Sequence, residues 1–474
     1  MKDDFYGKRI VILGLARQGK ALARFASVVG AEVIASDLMP PEKAGPTIDA
    51  LSDVEMDFVF GSHPISLLDN ADVLAISGGV PADAPIVREA RTRGIQVTND
   101  SQEFMKRVQA PVIGITGSAG KTTTTALTGS IIQSSGRTAW VGGNIGRPLI
   151  AELDAIHKDD VVVQELSSFQ LELWTVSPDV AAVLNVTPNH LDRHGSMEAY
   201  SSAKANILRY QKPGDVAILS ADDPGAVKMR SEAKGRLREF SLEREVDDGA
   251  FSRDGKVWLR DGNRERSVLA LDLISLPGRH NVLNVLASAV LADSVNVPAD
   301  AIRDAIATFK GVEHRLEKVA LIAGVQFIND SIATAPERAV AAIDSFSEPI
   351  ILLAGGRDKN MFWADWARRV LARVKVVILF GELADLMETH LREAAEDMAI
   401  IHKAEIVRAK NMEAAAWLAY KAANPGDIVL LAPGGTSFDA FSDFAERGDY
   451  FREIINDIAA NSDNVERIVN PRED

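Results

Sequence analysis

The stretch Val112-Ile-Gly-Ile-Thr-Gly-Ser-Ala-Gly-Lys-Thr-Thr-Thr-Thr125 decides how the rest of the chain is read. An apolar run enters a glycine-rich turn, and a helical pattern follows. Gly114, Gly117 and Gly120 let backbone N–H groups turn inward on an anion, Lys121 adds a mobile positive charge, and Thr122 offers a hydroxyl suited to Mg2+. The turn is a cradle for nucleotide phosphates. Strict phosphate-loop spacing would place glycine at position 115, where Ile115 stands, so this is a shortened relative of that loop.

A second glycine-rich stretch lies upstream. Val11-Ile-Leu-Gly-Leu-Ala-Arg-Gln-Gly-Lys-Ala21 meets the phosphate-loop spacing with Gly14, Gly19 and Lys20, but Ala21 replaces the Mg2+-binding hydroxyl. Ala16 also fills the place of the middle glycine of a dinucleotide fingerprint. Two readings stand: a diphosphate grip, or a tight strand-to-helix turn that binds nothing.

Around these loops the pattern is α/β. Ile10–Leu13, Glu32–Ser36, Val73–Ile76 and Ile95–Thr98 read as strands alternating with helices, a small doubly wound unit with Gly14, Leu15, Ala16, Ser36, Asp37, Ser77 and Gly78 at its strand ends. Asp37 is either a ribose- or base-binding carboxylate or an acid opening a loop. In the second unit, Glu165 closes the buried run Val161–Glu165, where a lone carboxylate is costly unless it meets a cation such as Mg2+. Val180–Val186 reads as another strand, delivering His190 and Asp192 as metal ligands, acid–base groups or solvated side chains. The helix from about Ser196 to Tyr210 carries Lys204, by its pattern one more exposed cation. Residues from about Arg230 to Ser267 read as hairpins, and Asn281 and Asn284 share one helical face, to read a base edge or to cap the helix. A third unit repeats the doubly wound plan, with strands at Gln326–Ile328, Pro349–Leu353, Val376–Phe380 and Ile428–Leu431. Its strand ends Asn329–Thr334, Gly355–Lys359 and Ala432–Ser437 should line one crevice.

The length of 474 residues suits three domains, placed at residues 1–100, 101–311 and 312–474. A net charge of −15 argues against a broad nucleic-acid surface, and the absence of cysteine excludes disulfides and thiolate chemistry. No apolar run is long enough to span a membrane, and Met1-Lys-Asp-Asp-Phe-Tyr-Gly7 lacks a signal-peptide pattern, so the expectation is a cytoplasmic protein without membrane insertion; a monomer is expected, though no sequence feature decides it.

The motifs together resemble the Mur ligases, over essentially the whole length. Thr116-Gly-Ser-Ala-Gly-Lys-Thr122 is similar to their ATP loop, with Ala119 where asparagine is usual, and Glu165-Leu-Ser-Ser-Phe-Gln-Leu-Glu172 is similar to the branch that adds glutamate to UDP-N-acetylmuramoyl-L-alanine. Gly143-Asn144, Asn185-Val-Thr-Pro-Asn-His190, Gly278-Arg-His-Asn281, His314-Arg315, Asn329-Asp-Ser331 and Ser437-Phe-Asp439 agree.

The resemblance implies an N-terminal UDP-binding domain, a central ATP-binding domain and a C-terminal domain that brings the amino acid. It implies ATP at Gly117, Ser118, Ala119, Gly120, Lys121, Thr122, Thr123, Asn281, Arg315 and Asp330. Thr122 and Glu165 would hold one Mg2+, and His190 with Lys204, carbamylated by CO2, a second; Lys121, Glu165, His190 and Lys204 would form the catalytic set. Asn144 would face the muramoyl-alanine, and Thr334, Lys359, Ser437 and Phe444 the glutamate. The implied reaction is ATP-dependent amide formation through an acyl phosphate in peptidoglycan precursor synthesis. D-Glutamate is the expected amino acid; L-glutamate, and more remotely a non-catalytic nucleotide switch, are the alternatives. Two departures lie near the incoming amino acid: Ile332 stands where the family has lysine, with Arg338 as a substitute cation, and Gly434-Gly-Thr436 replaces an alanine/cysteine/serine run.

Overall fold

The computed structural model describes residues 2–276, 278–359, 361–397 and 404–469. They form two compact units, Met1–Phe309 and Lys310–Asp474. The first unit contains two sheets. A five-stranded parallel sheet runs in the spatial order Asp57–Phe60, Glu32–Asp37, Arg9–Leu13, Val73–Ile76, Gln96–Thr98. Its strand order reverses between Arg9–Leu13 and Val73–Ile76, and there the crevice opens at the carboxyl ends. Ser77 and Gly14 meet at that point, the Ser77 hydroxyl donating to the Gly14 carbonyl at 2.7 Å.

The second sheet has nine strands. Val112–Thr116, third from one edge, lies between Val161–Glu165 and Val180–Val183, all parallel. β-Branched and aliphatic side chains buried on both faces make these strands read as continuous apolar runs. The third of them ends at Val183, three residues short of the expected Val186, because the chain there leaves the ladder to close on the phosphate loop. The stretch expected as hairpins is mixed: Arg236–Ser241 and Gly249–Arg253 continue the parallel order, and only Lys256–Asp261 and Arg264–Ala270 form an antiparallel extension.

The other unit holds a six-stranded sheet in the order Glu317–Ile322, Val325–Asn329, Ile428–Gly434, Ile350–Gly355, Val374–Phe380, Glu405–Arg408. The three expected strand ends meet at its centre. Asp330 N–H donates to the Leu431 carbonyl, Gly434 N–H to the Ala333 carbonyl, and Arg357 and Thr436 exchange backbone bonds at 2.8 and 3.0 Å.

Candidate active site

Gly120, with φ +83°, ends the phosphate loop, and the 14-residue helix Lys121–Ser134 follows it directly. A Cβ at Gly120 would lie 2.4 Å from the Asn284 amide oxygen, so any other residue would have to push that amide aside as well as hold a left-handed backbone. The loop is pinned from the neighbouring strand end. Ser118 N–H donates to the Asn185 carbonyl at 3.0 Å, Ala119 N–H donates to the Asn185 side-chain oxygen at 2.8 Å, and the Asn185 amide donates back to the Ala119 carbonyl. The Ser118 hydroxyl meets the Tyr200 hydroxyl at 2.9 Å. Lys121 folds over the loop, its Nζ donating to the Gly117 carbonyl at 2.9 Å. Thr122 is buried at the first turn and Thr123 half-buried beside it. Asn284 donates to the Asn281 side-chain oxygen at 3.0 Å, so the two amides do share one face, with Asn284 committed to the loop and to Thr124.

Lys204 departs from the reading of its helix as a carrier of exposed cations. It is 1% exposed, and its Nζ donates to the Gly117 carbonyl at 2.9 Å and the Thr116 hydroxyl at 3.3 Å. Burial drives its pKa well below the usual lysine range, the like charge of Lys121 adds to the fall, and Glu165 opposes it. The shift favours the free amine over the ammonium. Tyr200, one turn earlier on the same helix face, lies under Lys204 with 4.7 Å from Nζ to the ring centre.

Glu165 is also buried, at 2% exposed. The Asn144 side-chain amide donates to Oε1 at 2.9 Å, whereas Oε2 is buried with no hydrogen-bond partner among the described residues. A buried, half-unsatisfied carboxylate beside a phosphate cradle suits Mg2+, which takes one or two carboxylates and completes its shell with water and phosphate oxygens. No three His, Asp or Glu side chains converge on a metal position among the described residues. His190 is exposed, adopts a left-handed conformation at φ +53°, and packs its ring 5.2 Å from that of Phe169, four residues beyond Glu165. Phe169 also stacks on His194. The side chain of Asp192 lies outside what the structure describes.

The upstream loop has a different character. Gly19 sits so close to the Gly14 carbonyl that a Cβ would fall 1.8 Å from it. Asp37 accepts the Leu15 N–H at 2.6 Å and the Met39 N–H at 2.8 Å, so its two oxygens hold the loop together. Ala16 precedes the first turn of the helix Arg17–Val28, and the Ser36 hydroxyl lies 2.8 Å from His63 Nδ1. Two residues that sequence reasoning passed over bridge to the central sheet: Arg17 Nη2 donates to the Asn144 carbonyl at 3.3 Å, and Gln18 Nε2 to the Gly143 carbonyl at 3.4 Å. A small cleft lined by Ser77, Gly78, Phe169, Gln170 and Arg193 opens beside them.

In the other unit, Asp330 is buried, accepts the Leu316 N–H at 3.0 Å, and has its pKa pushed up to about 6 by burial, against the pull of Arg315 and Arg338. Thr334 is half-buried, Ser437 buried, and Lys359 exposed with its ammonium 5.5 Å from the Phe438 ring centre. Phe444 opens the helix Phe444–Val469, its carbonyl accepting the Ser331 hydroxyl at 2.7 Å. Arg447, also absent from the sequence reading, is buried and clamps the crevice loops through Ser331 and the Gly435 carbonyl. Packing explains the glycine pair: a Cβ at Gly434 would press on Trp363 and one at Gly435 would come within 2.3 Å of Leu383. No signal in one sequence marks Arg447 or Arg17, since both residue types and spacings suit ordinary helix surfaces.

The glycine-rich turn, the adjoining carboxylate and the buried amine come together at the carboxyl ends of parallel strands in an α/β protein. Comparison with known proteins gives the family. Residues 8–99 match the Mur ligase MurD-like N-terminal domain, 115–292 the Mur ligase middle domain, and 314–435 the Mur ligase glutamate ligase domain. The chain is 38% identical to the UDP-N-acetylmuramoylalanine–D-glutamate ligase of Pelotomaculum thermopropionicum over 96% of this chain and 99% of that one. It is 41% identical to the enzyme of the same name from Symbiobacterium thermophilum over 94% and 98%. The fold is shared with MurF of Acinetobacter baumannii at a TM-score of 0.56 and 18% identity, covering 94% of this chain and 93% of that one. The chain belongs to the Mur ligase family. No helix among the described residues is long and apolar enough to cross a membrane.

Proposed function

We propose that this protein joins D-glutamate to UDP-N-acetylmuramoyl-L-alanine at the expense of ATP, in the synthesis of peptidoglycan precursors. The observation that carries the reading is the constellation of Lys121, Lys204 and the half-satisfied Glu165 around one phosphate loop, in a chain colinear with D-glutamate ligases. The domains at residues 1–100, 101–311 and 312–474 take UDP, ATP and the amino acid in turn.

A carboxylate oxygen of the alanine attacks the γ-phosphorus, the bond to the bridging oxygen breaks, and ADP leaves. The amine of glutamate then adds to the carbonyl carbon of the acyl phosphate, and loss of phosphate and a proton gives the amide. Gly117 to Thr123 cradle the phosphates, Lys121 offsets their charge, and Asn281, Arg315 and Asp330 hold the remainder of the nucleotide. Arg338 supplies the cation that Ile332 lacks, consistent with its electrostatic reach to Asp330. Gly14, Leu15, Ala16, Ser36, Asp37, Ser77 and Gly78 take the UDP end, Asn144 the muramoyl-alanine, and Thr334, Lys359, Ser437 and Phe444 the glutamate.

Thr122 and Glu165 would hold one Mg2+, and His190 and Lys204 a second, and these ions would neutralise charge at the phosphates. Lys204 takes part as a carbamate: its uncharged amine attacks CO2, forms the N–C bond and releases a proton. The depressed basicity of Lys204 supports this step, because an ammonium has no lone pair to offer. The enzyme acts as a monomer in the cytoplasm.

The test is a mass-spectrometric assay with UDP-N-acetylmuramoyl-L-alanine, ATP, Mg2+ and a panel of amino acids. The expected result is one ADP, one phosphate and one D-glutamyl product per turnover. A kcat/KM at least about tenfold higher for L-glutamate, roughly 1.4 kcal/mol, would overturn the D assignment. Nucleotide binding without ligation would point to a switch.

A further inference from the structure

The Arg17–Gln18 bridge has no part in the reading above. It starts in the loop that takes the diphosphate and ends on the turn Gly143–Asn144, where Arg17 and Gln18 each donate to a backbone carbonyl. That turn is tightly bound to Glu165. Asn144 N–H donates to the Glu165 carbonyl at 2.9 Å and its side-chain amide to Oε1 at 2.9 Å. Gly143 has φ +102°, and a Cβ there would lie 2.4 Å from the Glu165 carbonyl oxygen, so the turn has no room to slide along the strand. The Asn144 amide is the hydrogen bond that orients the Glu165 carboxylate, since Oε2 has no partner among the described residues.

We propose that Arg17 and Gln18 are positioning residues that couple occupation of the UDP grip to the alignment of Glu165, through the Gly143–Asn144 turn. This rests on the reading of the upstream loop as the UDP site and of Glu165 as part of the phosphoryl-transfer centre. A guanidinium has five N–H donors, so the one on the Asn144 carbonyl leaves others for diphosphate oxygens at the neighbouring Gly14 turn. A diphosphate held there fixes Arg17, Arg17 fixes the turn, and the turn fixes the carboxylate. Binding energy from the nucleotide end, remote from the reacting carboxylate, is thereby spent on the chemical step.

The experiment measures kcat and KM for UDP-N-acetylmuramoyl-L-alanine in the wild type, Arg17→Ala, Gln18→Ala, Asn144→Ala and the two double variants with Asn144→Ala, with thermal unfolding of each as a check on the fold. Arg17→Ala and Gln18→Ala are expected to lower kcat at saturating acceptor by about three- to tenfold, the loss of one oriented hydrogen bond, in addition to any rise in KM. In the Asn144→Ala background the same changes should leave kcat nearly unaltered, because the link they act through is gone. A rise in KM at constant kcat in both single variants would reduce the two residues to diphosphate ligands and overturn the coupling. Full additivity with Asn144→Ala would overturn it as well. A wild type that does not ligate this acceptor at all would instead refute the underlying functional reading.

Discussion

The turn after Val112–Thr116 and the turn after Arg9–Leu13 share one plan, a buried parallel strand, a glycine-rich bend and a helix, yet their surroundings differ in one decisive respect. Beside the upstream turn the carboxylate of Asp37 spends both oxygens on backbone N–H groups. Beside the central turn Glu165 keeps a buried oxygen without a partner among the described residues, and Lys121 and a buried Lys204 lean on the same loop. The first arrangement is complete in itself. The second carries electrostatic cost that a cation and a polyphosphate would relieve. Spacing of glycines and lysine is thus a weaker guide to phosphoryl chemistry than whether the neighbouring charges are already satisfied.

The sharpest way to break this contrast is to remove charge from each turn. Lys121→Ala and Glu165→Ala are each expected to lower turnover by at least about a thousandfold with the unfolding midpoint little changed, since both act where negative charge accumulates. Lys20→Ala should chiefly raise KM for the UDP substrate. Steady-state kinetics with ATP and acceptor varied separately decides, and a large loss of ATP affinity in Lys20→Ala would mean the two loops have been assigned the wrong way round.

Lys204 offers a chemical version of the same test. Lys204→Ala should be inactive but regain roughly a tenth or less of the activity with a short carboxylic acid, which restores oxygen ligands in the vacated space. Intact-mass spectra of the wild type under CO2 should show a carbamate that bicarbonate-free buffer removes. No rescue, with no added mass, would leave Lys204 as a buried amine that braces the loop through Gly117 and Thr116.

The glycines separate the turns by stability instead. At Gly19 the backbone angle is ordinary but a Cβ would meet the Gly14 carbonyl at 1.8 Å, and backbone cannot step aside. Gly19→Ala is expected to cost about 3–4 kcal/mol. At Gly120 the left-handed conformation costs about 1–2 kcal/mol and the obstacle is the Asn284 amide, which can turn away, so Gly120→Ala should be the milder lesion for folding, measured by denaturant midpoints.

Much of this was legible in the sequence because parallel strands buried on both faces announce themselves as apolar runs and their carboxyl ends collect the ligand-facing turns. Four strands that escaped notice, Asp57–Phe60, Ala139–Gly143, Glu317–Ile322 and Glu405–Arg408, are sheet edges, and all but Ala139–Gly143 carry a charged residue at an end. Edge strands face water along one side and are kept polar, so their periodicity is faint. Site residues followed the same division. Gly117, Gly120 and Lys121 are fixed by local backbone demands and can be read directly. The burial of Lys204 depends on the loop it packs beneath, and the reach of Arg17 depends on a turn 127 residues away, neither of which leaves a local trace.

A smaller effect shows whether the upstream turn is as self-contained as Asp37 suggests. Asp100, at the start of the helix Asp100–Met105, is buried, its Oδ1 has no hydrogen-bond partner among the described residues, and burial raises its pKa to about 6 while the charge of Arg17 pulls it down. Its unfolded value is about 3.9, so between about pH 4 and 6 the folded chain holds more protons than the unfolded one. Stability therefore falls as pH rises through that interval, and the penalty, about 3 kcal/mol at most, is complete above it. Asp100→Asn should remove the penalty, raising the unfolding midpoint by a few degrees at pH 7.5 and leaving it unchanged near pH 4. Repeating the melt with UDP present adds the comparison between turns. If the buried carboxylate serves to hold Arg17 toward the diphosphate, Asp100→Asn should gain stability while losing part of the UDP-induced shift. Equal shifts in the two proteins would make Asp100 a purely structural cost, and the upstream turn would stand without any charge arranged for its ligand.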